Sequence, residues 1–320
     1  MAGRLEGKVA IVTGAGRGIG RGEALALAQE GARVIVNDFG GSTGGEGADA
    51  SPADQVVAEI KKMGGDALPN YGNVVSMADG EAIVKQAMDT WGRLDILVNN
   101  AGILRDRIIF NMTEEEWDAV IAVHLKGHFT ITRFASIVMR QQRGGRIINT
   151  SSESGLGNLG QANYSAAKEG ITGLTRTLAL DLGKYGVTAN ALRPRAATRL
   201  TLSPEMEAAR IRRQQMAAQA AGAAAAAPKA ESSAEQALTG ISAMAPELIA
   251  PLVVYLCTDA AANINGRDFI IGGDEISIMS LPTRERTIYH QGGWDIDSLE
   301  KVFQSTLGAG VKNPKPAENG

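Results

Sequence analysis

The sequence predicts an α/β protein with a single doubly wound, mostly parallel sheet and helices on both faces. Short β-branched apolar runs alternate with stretches of helical length from Leu5 to Gly273. The 39 glycines among 320 residues, with only 4% aromatic residues, suit many tight strand-to-helix turns better than an aromatic-lined sandwich. Hydrophobic residues at 44% and charged residues at 21% allow one sizeable core and exclude global disorder. Strands alternating with helices imply right-handed crossovers, which lay the strands parallel in a sheet covered on both sides.

The elements follow in order. Val9 to Val12 is the first strand, and after a Gly-rich turn Glu23 to Gln29 is the first helix. Arg33 to Asn37 is a strand, Ala53 to Met63 a helix, Ala67 to Tyr71 a strand, Met77 to Trp91 a helix and Leu94 to Val98 a strand. A long helical stretch starts at Thr113. Arg146 to Asn149 is a strand, Tyr164 to Lys184 a helix and Val187 to Leu192 a strand. Leu252 to Thr258 is an apolar helical run holding Cys257, and Asp268 to Gly273 is the last strand. Residues 1–274 are thus expected to form one domain. Within it, 203–240 interrupts the alternation with the alanine run Ala217 to Ala227, a mobile lid helix or plain linker by composition. Residues 275–320 read as a C-terminal extension whose polar end is expected to be disordered.

Composition removes several function classes. With 32 Lys+Arg against 35 Asp+Glu the formal charge is −3, which offers no electrostatic basis for binding nucleic acid or an anionic membrane surface. One cysteine excludes an internal disulfide framework, and three histidines with that cysteine argue against a zinc enzyme, so no metal is expected. No apolar run approaches the roughly 18 residues of a membrane span. The N-terminus runs straight into a strand pattern without a secretory signal, and the C-terminal Pro-Ala-Glu-Asn-Gly is not a Ser-Lys-Leu signal. A soluble, cytoplasmic protein is the expectation.

Thr13-Gly-Ala-Gly-Arg-Gly-Ile-Gly20 follows a strand and opens a helix. In that context glycines let the backbone approach a dinucleotide pyrophosphate, and the unpaired N–H groups of the first helical turn bind it. Asp38 ends the second strand 18 residues beyond Gly20, where an acid can hydrogen-bond the adenosine ribose. Its charge would repel a 2′-phosphate and favour NAD over NADP, a preference that Arg17 could partly reverse. Alternatively, Asp38 is a turn residue before Gly40 and Gly41.

The spacing Thr13-Gly14-x-x-x-Gly18-x-Gly20, then Asn99-Asn-Ala-Gly102, then Tyr164-Ser-Ala-Ala-Lys168, resembles the short-chain dehydrogenase/reductase family in motif and order. Val36 to Gly41, Ala101 to Arg107, Val123 to Gly127 and Gly160 to Lys168 are similar to the (3R)-hydroxyacyl-CoA dehydrogenase domains of type 2 peroxisomal multifunctional enzymes. The resemblance implies a Rossmann-type fold, an NAD cofactor and a homodimer or homotetramer assembled through long helices. It also implies a secondary alcohol/ketone substrate, first a 3-hydroxyacyl or 3-oxoacyl thioester of CoA, otherwise a hydroxysteroid or other bulky alicyclic alcohol. A catalytically silent NAD-binding regulatory protein is the reading from another class.

Carried onto this chain, the family pattern assigns the cofactor to Gly14, Arg17, Gly18, Ile19, Gly20, Asp38, Asn73, Val74, Asn99, Asn100, Ala101, Gly102, Tyr164, Lys168 and Pro194. Tyr164 is the acid and base. A free phenol has a pKa near 10, so a cation must favour its phenolate, and Lys168 lies one helical turn on. The family's serine, thirteen residues before the tyrosine, selects Ser151, with Ser152 the replacement if the register differs. Three positions depart from the pattern. His124 stands where many members have a proton-relaying asparagine, and either relays protons or simply packs. Asn73-Val74 replaces Asp-Val. Arg193-Pro-Arg195 replaces the usual Pro-Gly context, leaving two arginines that would attract a CoA phosphate or lie in solvent. Cys257 reads as a buried structural thiol, and His128 carries no readable chemical signal.

Overall fold

The structure, a computed structural model, describes residues 3–196, 244–312 and 314. The Ala-rich segment expected as lid or linker, and most of the polar C-terminal end, lie outside the described residues. The chain divides into two units, Met1–Met279 and Ser280–Gly320.

In the first unit β1 (Val9–Thr13), β2 (Arg33–Asn37), β3 (Ala67–Asn70), β4 (Ile96–Asn99), β5 (Gly145–Thr150), β6 (Val187–Pro194), β7 (Asp268–Gly272) and β8 (Glu275–Ile278) form one sheet. Its order is β3-β2-β1-β4-β5-β6-β7-β8. All neighbours are parallel except β7 and β8, which are antiparallel. The expected doubly wound sheet is therefore present, and β8 extends it with four residues that sequence reading assigned to the extension. A Gly273-Asp274 turn reverses the chain, so β8 adds at the edge without a crossover helix.

Both faces of the sheet are buried, as parallel strands require. Along β1, Ala10 and Val12 pack into one cluster and Val9 and Ile11 into the other, following the two-residue alternation of a strand. The first cluster includes Leu27 of α1 (Gly18–Gln29), Ile60 of α2 (Ser51–Lys62) and Val253 of α7 (Ala250–Cys257). The second includes Ile83 of α3 (Met77–Trp91) and Ile131 and Met139 of α5 (Gly127–Gln142).

The long helical stretch begins as α4 (Glu114–Ile121), capped by Thr113 and Glu116 in a reciprocal capping box. A π-helical turn, Ala122–Lys126, then separates α4 from α5. α6 (Ala162–Gly183) lies beyond β5. α1 starts at Gly18, five residues before the propensity-based expectation of Glu23, because a glycine-rich first turn scores poorly as helix. From β1 the chain builds outward to β3, then returns to β4 on the other side of β1. That reversal opens a crevice at the carboxyl ends of β1 and β4, where ligands of such sheets bind.

The second unit contains α8 (Ile296–Val302), capped by Asp295 and Ser298. Arg286 closes it by donating to the carbonyls of Thr306, Leu307 and Ala309.

Candidate active site

The loops after β1 and β4 are stitched together. Thr13 Oγ1 accepts from the N–H groups of Asn100 at 3.0 Å and Ala101 at 3.2 Å, and Asn100 Nδ2 donates to the carbonyls of Thr13 and Gly14, both at 3.1 Å. Gly14 has a φ of +62°, and a Cβ there would come 2.8 Å from Ala101 Cα, so glycine is required twice over. Beside this seam lies a cavity of about 480 Å³. Gly14, Arg17, Gly18, Ile19, Asp38, Asn73, Val74, Asn100, Ala101 and Gly102 line it, while Gly20 sits behind, packed on the Gly14 carbonyl. No side chain caps the N-terminus of α1, leaving its first-turn N–H groups for a ligand.

Asp38 accepts from Gly16 N at 2.8 Å with one oxygen and from Gly40 N at 2.7 Å with the other. It is thus both a lining carboxylate and a turn residue. Arg17 is drawn toward Asp49, 3.9 Å away. Asn73 accepts from Val75 N at 3.0 Å through its side-chain oxygen. Asn99 does not line the cavity: as the last residue of β4 it points into the core, where Nδ2 donates to Asn149 at 2.9 Å and Thr132 at 3.0 Å.

A second group of residues adjoins the cavity through Gly102 and Ile103. His124 sits in the π-helical turn, fully buried, with Nε2 2.8 Å from the Ile103 carbonyl oxygen and Nδ1 lacking a partner. A Cβ on Gly102 would strike its ring. His124 meets the Tyr164 ring edge-on with centroids 5.1 Å apart. Lys168, one turn further along α6, places Nζ 5.4 Å from the Tyr164 ring centroid and donates to the Thr150 carbonyl at 2.5 Å. The structure thus brings together His124, Tyr164 and Lys168. Pro194 ends β6 and is not part of the cavity lining.

The two candidate serines sit in different surroundings. Ser151 is 1% exposed, and its hydroxyl donates to the Lys168 carbonyl at 2.8 Å and lies 3.1 Å from Thr172 Oγ1, on the helix side of the strand end. Ser152 is extended, with φ −163° and ψ 153°, so its side chain points the other way, accepts from Ser154 N at 3.2 Å and faces the Tyr164 hydroxyl. Counting thirteen residues back from the tyrosine assumes a fixed loop length between β5 and α6. A loop shorter by one residue moves the facing serine to position 152.

Burial governs the electrostatics. It pushes the Tyr164 phenol up to about 12, against the Ser152 hydrogen bond and aided by Asp106. It pulls Lys168 down to about 7. His124 falls well below its ordinary value through burial and then the nearby Lys168 charge, so it is a neutral imidazole at pH 7.

The solvent reading holds for Arg195, which is 41% exposed, and neither reading holds for Arg193. Arg193 is buried in an ion-pair cluster with Asp268 and Glu169, and Arg195 pairs with Glu153 and Glu275. Burial pushes the Cys257 thiol up, consistent with a structural role. Buried His128 is pulled down to about 3.

Sequence reasoning missed the supports around Tyr164. Asn163 is fully buried, donating to the carbonyls of Arg105 and Glu116 and accepting from Tyr164 N, while Gln161 donates to Asp106 at 2.7 Å. The available signal was a pair of amide residues flanking the start of an otherwise small-residue helix.

A family model described as short chain dehydrogenase matches residues 8–203. Peroxisomal multifunctional enzyme type 2 of Mus musculus is 44% identical over 270 residues, 84% of this chain but 32% of that protein, so the chain spans about a third of that relative's length. Hydroxyacyl-CoA dehydrogenase ChsB1 of Mycobacterium tuberculosis is 42% identical over 316 residues, 94% of this chain and 88% of that one. A crystal structure of a short chain dehydrogenase from Mycobacterium avium matches with a TM-score of 0.78 at 40% identity, covering 99% of this chain and 100% of that one.

Proposed function

Because the chain belongs to the short-chain dehydrogenase family, and is therefore an oxidoreductase acting on CH–OH groups, we propose that it interconverts 3-hydroxyacyl-CoA and 3-oxoacyl-CoA with NAD(H). The observation that carries the chemistry is the grouping of Ser152, Tyr164 and Lys168 beside a dinucleotide-sized cleft. The substrate class rests on the relatives, above all the one matched over 88% of its length and named a hydroxyacyl-CoA dehydrogenase.

The residues present fit a nicotinamide dinucleotide. The first turn of α1 would hold the pyrophosphate, Asp38 the adenosine ribose, Asn73 and Val74 the adenine, and Asn100 to Gly102 with Lys168 and Pro194 the nicotinamide riboside. A carboxylate at Asp38 favours NAD over NADP, and the pairing of Arg17 with Asp49 leaves less charge to receive a 2′-phosphate. When bound, the cofactor supplies or accepts the hydride.

The chain's own residues handle the proton. Ser152 donates a hydrogen bond to the substrate oxygen, and Tyr164 gives its proton to that oxygen as negative charge develops. In the oxidative direction the phenolate of Tyr164 takes the hydroxyl proton. With the phenol pushed up to about 12, its base form is scarce at neutral pH, so oxidation should accelerate as pH rises while reduction should not.

The test is NAD and NADP reduction with a panel of racemic 3-hydroxyacyl-CoA esters and of hydroxysteroids. Turnover of the thioesters with NAD supports the reading. Steroid turnover without any thioester turnover would replace the substrate.

A further inference from the structure

Arg193 occupies a position where the sequence suggested a free cation, yet its side chain is 1% exposed. Nε donates to Asp268 on β7 at 2.7 Å, and Nη2 donates to Glu169 on α6 at 2.8 Å and to Thr172 Oγ1 at 3.3 Å. Nη1 donates to the Ser152 backbone carbonyl at 2.7 Å. The two preceding residues are tied to α6 as well, Thr150 by Lys168 Nζ and Ser151 by its hydroxyl on the Lys168 carbonyl. A Cβ on Gly155 would come 3.0 Å from Glu169 Oε2 and 3.1 Å from Arg193 Nη1, so the loop after Ser152 lies directly on the cluster.

We propose that Arg193 is a positioning residue, which fixes the Ser152 peptide so that the Ser152 hydroxyl faces Tyr164, with Asp268 and Glu169 setting the direction of the guanidinium. This rests on the reading of Ser152 as the residue that orients the substrate oxygen. A guanidinium is a planar fork with five N–H donors in fixed directions. Two carboxylates on different elements hold that fork, so the direction of Nη1 toward Ser152 is determined. Burying such a cluster stabilises little compared with apolar packing of the same volume, whereas it fixes geometry that apolar packing leaves free. The influence is geometric: the groups that shift Tyr164 are its burial, Ser152 and Asp106, and not Arg193.

Arg193→Lys keeps the charge and a partner for Asp268 but cannot reach Asp268 and the Ser152 carbonyl in two fixed directions. The experiment compares R193K, S152A and the double variant with the wild type, using NADH formation from racemic 3-hydroxybutyryl- and 3-hydroxydecanoyl-CoA and from a hydroxysteroid panel, with thermal melts as the control for folding. R193K is expected to lower kcat ten- to a hundredfold, leave KM for NAD within about twofold, and leave the alkaline pH midpoint unmoved. Added to S152A, it is expected to cost less than about twofold more, because it acts through that serine. A folded R193K with wild-type kcat, or losses that multiply in the double variant, would overturn the proposal alone. An S152A enzyme of full activity would overturn the reading of Ser152 and the proposal with it. If R193K does not fold, Asp268→Asn is expected to show the same kcat-only, non-multiplying loss, and full activity there overturns the proposal equally.

Discussion

Ser151 and Ser152 are chemically identical neighbours, and the direction of one Cα–Cβ bond separates what each can do. On the proposed reading, in which Ser152 orients the substrate oxygen, Ser152→Ala is expected to lower kcat about 10²- to 10³-fold, measured by steady-state turnover. Ser151→Ala leaves the Lys168 carbonyl and Thr172 short of a partner. It should cost about 1 kcal/mol of stability, read as a lower Tm, with turnover within a few-fold of wild type. The reverse pattern would restore the thirteen-residue register. Tyr164→Phe should reduce turnover by about 10³-fold or more while NAD binding, followed by fluorescence titration, stays nearly unchanged. At this scale the residue types of the site were legible, because Tyr164 and Lys168 are linked by helical periodicity within one element. The choice between Ser151 and Ser152 was not, because it depends on a loop whose length no local pattern specifies. The role of Arg193 was hidden for a related reason: its partners Asp268 and Glu169 are remote in the chain, and only the sheet order brings them together.

Among the helices, α1 carries an internal contradiction. Glu23 is 1% exposed, both carboxyl oxygens lack a hydrogen-bond partner, and burial raises it from 4.5 to about 8. The folded state therefore retains a proton that the unfolded chain releases, so Glu23 erodes stability progressively from about pH 4.5 to pH 8 and no further above that. Glu23→Leu should stabilise the protein by on the order of 3 kcal/mol at pH 8 and clearly less at pH 5. Melting curves at the two pH values decide it, and an equal shift at both would mean that the carboxylate is already paired or hydrated. Elements with strong patterns, such as β1, β2 and α3, were legible from β-branched runs and helical periodicity. The start of α1 was obscured by its glycines, and β8 was missed because Glu-Ile-Ser-Ile alternates as any exposed edge does, with Ile276 and Ile278 both 59% exposed.

At the scale of the whole molecule, the sheet order places the glycine-rich loop, the Tyr164 group and Arg193 along the carboxyl ends of the strands, from β1 through β6. The doubly wound architecture was legible because alternation of strands and helices leaves few topologies open. Assembly was expected only by resemblance, through long helices. α5 and α6 present Phe129 at 47% and Leu180 at 83% exposure, large apolar side chains on otherwise packed helices. Leu180→Arg is expected to shift the protein toward smaller species in size-exclusion chromatography with light scattering; an unchanged mass would place any subunit contact elsewhere.

The π-helical turn at Ala122–Lys126 behaves like a dislocation in an otherwise regular lattice. An unbroken helix from Glu114 to Gln142 would advance about 100° per residue, so one extra residue in the turn rotates everything after it by that angle relative to what precedes it. α4 sets Val120 in the small cluster with Ala167, whereas α5 sets Ile131 and Met139 in the cluster with Ile83. Deleting one residue would restore uniform hydrogen bonding while swinging His124 away from Ile103 and Tyr164. The chain has given up backbone regularity at the one turn where aim matters more than order.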